Sequence, residues 1–162
     1  MFDHDNEGCK NPIGCKKRRI AFQIQNEISV KKYGEKEFEM FRLSFQKKGF
    51  DFLEKAKDRN HENTHAEDRA FQRSISEQEI HSVFLDGDII EYFQGNGIKK
   101  MLICGSYRYG KGKYRPIHVV LRKEMTAGST WSIATLYDPR SMPWLWDQKT
   151  NFTERVCFCK RK

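Results

Sequence analysis

Apolar and polar positions along this chain change rhythm once, from helical spacing before residue 87 to strand-like runs after it. Ile20, Ala21, Ile24 and Ile28 fall on one helical face, and Tyr33-Gly34 reads as a stop. Glu35 to Lys57 predicts a second helix. Phe38, Phe41 and Phe45 recur at i, i+3 and i+7, and Phe52, Leu53 and Ala56 continue the stripe past a weak point at Gly49. A phenylalanine stripe at this spacing belongs to a core rather than to a ligand site. Residues 58–64 are polar and read as a linker, with Thr64 placed to cap a short helix from His65 to Arg73. Ser76-Glu77-Gln78-Glu79 has the form of a capping box. It opens a helix whose apolar face is Ile80, Val83 and Phe84, ended by Gly87.

Strands follow at short intervals. Asp88 to Gln94 is the first, Gly95-Asn96-Gly97 a turn, and Lys99 to Tyr107 the second. Arg108 to Arg115 reads as a Gly/Lys/Tyr-rich connection, Pro116 to Arg122 as the third strand and Trp131 to Tyr137 as the fourth, with Val156 to Phe158 a candidate edge strand. Helices followed by an antiparallel meander read as an α+β chain.

Charge changes the picture. Residues 99–162 hold 14 Lys/Arg and 4 Asp/Glu, whereas residues 1–98 hold 16 and 18, so the chain's whole excess of +8 sits in the strand-rich half. That half also carries all three tryptophans. Positive charge interleaved with aromatic rings suits a polyanion with bases to stack, so RNA or DNA is the first partner to consider. The loop from Tyr107 through Arg108, Tyr109, Lys111, Lys113 and Tyr114 to Arg115 is the densest such stretch. It is not a nucleotide-hydrolase phosphate loop, because Gly112 stands where Ser or Thr is needed after Gly110-Lys111.

No run approaches 18 apolar residues, which speaks against a membrane-spanning helix. The first residues lack the basic and apolar regions of a signal peptide, so a cytoplasmic protein is expected. In a reducing compartment five cysteines need not pair. Cys9 and Cys15 near one end and Cys157 and Cys159 near the other, with His4, raise the idea of a zinc site closing the termini. Their Cys-x5-Cys and Cys-x-Cys spacings are not the usual Cys-x2-Cys knuckles, so free thiols, with no metal and no cofactor, are the expectation.

Among residues that could carry chemistry, His118 stands in the apolar run Arg115-Pro116-Ile117-His118-Val119-Val120, where it is either structural or a general acid–base. His65, Arg69 and Arg73 share a helical face that either grips phosphate or is simply solvated. Tyr137 closes the fourth strand before Asp138-Pro139 and could stack on a base, donate a proton or cap the sheet. Asp86-Gly87-Asp88 with Glu91 is a weak magnesium pattern.

Six segments in order carry a resemblance: His65-Ala66 with Arg69 and Arg73; Ile75-Ser76 with Glu79-Ile80; Gly87-Asp88-Ile89-Ile90-Glu91-Tyr92; Arg115-Pro116-Ile117-His118-Val119-Val120; Ala134-Thr135-Leu136-Tyr137-Asp138-Pro139; and Trp144 or Trp146 with Phe152 and Arg155. Over about residues 64–156 the chain resembles the small bacterial domain catalogued as domain of unknown function 4258, grouped with the RelE-like (barnase/colicin-type) toxin ribonucleases. The resemblance implies a RelE/BECR-like α+β fold over 61–162, with N-terminal helices packed on a four-stranded antiparallel sheet, preceded by a helical extension over 1–60 that has no counterpart in the family. It also implies a toxin-type endoribonuclease that needs no metal and is held in check by an antitoxin protein or RNA. In that reading a base takes the ribose 2′-hydroxyl proton, the oxygen attacks phosphorus, and an acid protonates the leaving 5′-oxygen. His118 and His65 would share the proton transfers, Arg69 and Arg115 would hold the phosphate, and Tyr137 would position a base. Arg73, Arg108, Tyr109, Lys111 and Lys113 would line the RNA path. The other readings are a non-catalytic nucleic-acid-binding module and a protein-interaction or inhibitory protein that uses the N-terminal helices.

Overall fold

The computed structural model describes Cys9, residues 11–54 and residues 75–159. Two helices, α1 (Pro12–Ser29) and α2 (Glu35–Lys48), are followed by α3 (Glu77–Asp86) and by strands β1 (Asp88–Gly95), β2 (Ile98–Gly110), β3 (Lys113–Glu124) and β4 (Ser132–Tyr137). The strands form one antiparallel sheet in the order β1-β2-β3-β4. The α+β class and the four-stranded meander read from the sequence are therefore present. No helix among the described residues is long and apolar enough to cross a membrane.

Local chemistry accounts for most boundaries. The Asn11 side chain accepts from the Gly14 amide and Pro12 occupies the first turn of α1, where its missing N–H costs nothing. α3 carries both halves of its capping box: Ser76 Oγ accepts from the Glu79 amide, and the Glu79 carboxylate accepts from the Ser76 amide. Asn96 and Gly97 both take positive φ, the pairing that lets a two-residue turn follow the twist of its strands. Gly49, at φ +61°, ends α2, and a short 3-10 turn runs to Phe52.

Three expectations are corrected. Gly34 does not stop a helix. A π-helical turn, Val30–Gly34, joins α1 to α2, and Gly34 is buried against β1, where a Cβ would come within 2.9 Å of Ile89 Cδ1 and 3.1 Å of Tyr92 Cβ. The connection at Arg108–Arg115 is mostly strand, since β2 and β3 continue to a two-residue turn at Lys111-Gly112. Residues 156–158 form no strand; this part of the chain contributes one isolated bridge, between Trp146 and Arg155.

Alternation in the strands separates two faces. On one, Met101, Ile103, Ile117, Val119 and Leu121 pack against Phe38, Phe41, Phe45, Val83 and Phe84 from the helices. The phenylalanine stripe thus fills the main core. Phe41 is its hub, with ring centroids 4.9 Å from Phe84 and 5.7 Å from Phe52. Residues before the expected boundary at 60 share one core with the sheet. Arg42 ties α2 to α3 by donating to the Phe84 and Gly87 carbonyls, which the end of α3 would otherwise leave without donors.

α1 sits differently from its sequence pattern. Its stripe of Ile20, Ala21, Ile24 and Ile28 faces outward. The inward side uses Phe22 against Phe158, Arg19 on Asp147 and Glu154, and Asn26 on the edge of the sheet. Asn26 donates to the Ile90 carbonyl at 2.7 Å and accepts from the Tyr92 amide at 3.1 Å, at the bulge in β1. One side-chain amide thereby satisfies backbone groups that an edge strand would present to solvent.

Candidate nucleic-acid interface

The strand registers isolate a two-stranded arm. β1 pairs with β2 only as far as Cys104, and β4 pairs with β3 only from His118 onward. From Gly105 to Ile117 the β2–β3 ribbon runs with no other described strand beside it. Its residues include Arg108, Lys111, Lys113 and Arg115 and no carboxylate. Tyr109 and Tyr114 are 58% and 55% exposed. Arg108, Lys111 and Lys113 are exposed as well, and Arg108 Nε lies 3.3 Å from the Gly110 carbonyl. Solvated cations can exchange water and counterions for phosphate, and exposed rings can receive bases.

Arg115, at the foot of the arm, is engaged. It lies 3.5 Å from both Glu79 and Asp138. Burial works against the Asp138 charge, but bonds from Arg140, with Arg115 nearby, hold its carboxyl below the ordinary carboxylate range. Arg115 is thus a strut that braces the ribbon against α3 and β4.

On the sheet face opposite the helices, Asp88, Cys104, His118 and Tyr137 stand in one row across the four strands. His118 Nδ1 and the Tyr137 hydroxyl are 3.3 Å apart. Both are covered by the chain after β4. Trp146 packs edge-on to the imidazole at 4.4 Å, and Met142, Leu145 and Phe152 close the surrounding cluster. His118 is 0% exposed and Tyr137 8%. Burial pulls the His118 imidazole down to about 4, against a weaker upward pull from the Phe152 backbone. The same burial raises the Tyr137 phenol and pushes the Cys104 thiol up to about 11.

Arg155 seals this cover. It donates twice to Glu91, at 2.9 and 3.0 Å, and lies 4.7 Å from the Trp146 ring centre. Burial opposes its charge, yet the Glu91 carboxylate holds its pKa above the ordinary arginine value. Glu91 is therefore committed to an ion pair rather than to a cation site with Asp86 and Asp88. Beside it a groove of about 500 Å3 runs between α1 and the sheet, lined by Gln25, Asn26, Lys100 and Val120.

His118 and Tyr137 are thus brought together, but behind a wall, while the basic and aromatic residues of the arm stand in solvent. His65, Arg69 and Arg73 lie outside the described residues. As the structure stands, His118 reaches a phosphodiester only if the segment bearing Trp146 moves away. Sequence reasoning had no sign of this cover, because Trp146 and Phe152 follow the last strand without any period that assigns them to a face.

Four thiols also meet. The Cys9, Cys15, Cys157 and Cys159 sulfurs all lie within 4.8 Å of one another.

Residues 63–137 match the family model described as Domain of unknown function (DUF4258), which supports a DUF4258 domain over that stretch. No curated protein and no solved structure matches the chain. The match takes in the arm, His118 and Tyr137. The cover from Asp138 onward, α1, α2 and the four clustered cysteines lie outside it.

Proposed function

We propose that this protein binds single-stranded RNA, and that the β2–β3 arm is the binding element. The observation that carries this reading is the arm itself: Arg108, Lys111 and Lys113 interleaved with exposed Tyr109 and Tyr114 on a ribbon free of acidic residues. Backbone charge supplies affinity with little regard to sequence, and tyrosine rings accept any base, each stack being worth about 1–3 kcal/mol. Single strands are favoured over duplex because stacking needs splayed bases.

A second reading, metal-independent RNA cleavage of the toxin type, draws on the contact between His118 and Tyr137 and on the family resemblance. It requires the Trp146 segment to open. One experiment separates the two. Labelled single-stranded RNA incubated with the protein in EDTA is expected to be bound and to stay intact, and His118→Leu is expected to bind as the parent does. Cleavage in EDTA that disappears in His118→Leu would replace the binding reading with the enzymatic one.

A further inference from the structure

We propose that Cys9, Cys15, Cys157 and Cys159 form a tetrathiolate site for one zinc ion. Cys15 Sγ is 3.6 Å from Cys9 and 3.4 Å from Cys159, and Cys9 and Cys159 are 3.7 Å apart. With zinc–sulfur bonds of about 2.3 Å, a tetrahedron of four sulfurs has edges of about 3.8 Å. Cys9, Cys15 and Cys159 therefore stand close to where a single ion would hold them, with Cys157 within 4.8 Å of each, and all three separations are far longer than the roughly 2.05 Å of a disulfide. A multi-iron cluster would need its thiolates spread around several metal atoms, which this grouping does not allow.

Two donors face one of the sulfurs. The Phe158 amide donates to Cys15 Sγ at 3.3 Å, and Arg18 Nη2 lies 3.9 Å from the same sulfur. Such outer donors orient sulfur ligands and offset the charge of a zinc tetrathiolate. Cys15 and Cys157 are buried, and Cys9 and Cys159 are half-buried. Four protein ligands and restricted access describe a structural site rather than a catalytic one, which keeps a position open for water. The unfamiliar sequence spacing follows from the fold. Cys9 precedes α1 and Cys15 lies in its first turn, while Cys157 and Cys159 belong to the far end of the chain, so neither pair alone needs to form a knuckle.

The ion would join residues 150 positions apart and fasten α1 to the end of the segment that covers His118.

Metal analysis of the full chain purified without chelator is expected to find one zinc per molecule. Cobalt(II) added to protein stripped under reducing conditions is expected to give the visible bands of a tetrahedral tetrathiolate, which added zinc removes. Cys9→Ser combined with Cys159→Ser is expected to abolish both signals. Because that variant could fail to fold, the cobalt spectrum of the unsubstituted chain decides independently. Substoichiometric zinc with no tetrathiolate spectrum, or stoichiometric zinc retained by the double variant, would overturn the site.

Discussion

Phe41→Ala is expected to lower the unfolding free energy by about 3–5 kcal/mol, the usual cost of removing a buried phenylalanine. Its ring is 1% exposed and touches Phe38, Phe45, Phe52 and Phe84, so the loss includes a cavity that no neighbouring backbone can easily fill. Domains of this size have only about 5–15 kcal/mol in total, so the variant should sit near the edge of folding. The form of the transition is as informative as its midpoint. Phe41 belongs to α2, yet it packs on α3, inside the region matching the family model. One cooperative transition, followed by helix and tryptophan signals together, is expected to shift as a whole. Two separate transitions, with only the first displaced, would mean that the helical extension has a core of its own.

A large pH effect is expected from His118. The folded ring holds its proton only below about 4, while a solvated imidazole in the unfolded chain takes one up near pH 6.5. Above about pH 6.5 both forms are neutral and the residue adds no pH dependence. As pH falls from there toward 4, the unfolded state gains protons that the folded state refuses, and stability is lost. The gap corresponds to roughly 3 kcal/mol over that window. Carboxylates titrate in the same range, so the comparison is with His118→Leu, which keeps a side chain of similar bulk and cannot ionise. Urea unfolding at pH 7 and pH 4 should show the parent losing roughly 3 kcal/mol more than the variant. Equal losses would place the ring in contact with water, where Trp146 does not cover it.

What the sequence revealed, and what it withheld, follows from the range of the forces involved. Caps and turns are local chemistry, and Ser76 with Glu79, Asn96-Gly97 and Gly87 could be read within a few residues. The Phe38, Phe41 and Phe45 stripe was legible because one helix face meets one core. Ile20, Ala21, Ile24 and Ile28 show the same spacing, yet they face outward because α1 is held through Asn26, Arg19 and Phe22, polar and aromatic contacts that carry no period. Gly34 looked like a stop because sequence alone cannot distinguish a glycine that breaks a helix from one that lets a strand approach. The arm looked like a loop because glycine, lysine and tyrosine outweighed the alternation that continues through it. His118 was visible as a candidate, but its burial depends on Trp146, 28 positions away, beyond β4 and the short 3-10 turn Pro139–Ser141. The four cysteines could be counted, but only the folded chain brings the two ends together.

The comparison that bears most directly on RNA binding is salt-dependent affinity for a single-stranded RNA, measured for the parent and for Arg108→Ala, Lys111→Ala and Lys113→Ala combined. Each phosphate neutralised contributes about 0.7 to the slope of log affinity against log salt. Losing three contacts is expected to flatten that slope by about 2 and to weaken binding most at low salt, while the melting temperature stays unchanged. An identical slope and affinity in the triple variant would show that the arm is not where RNA binds.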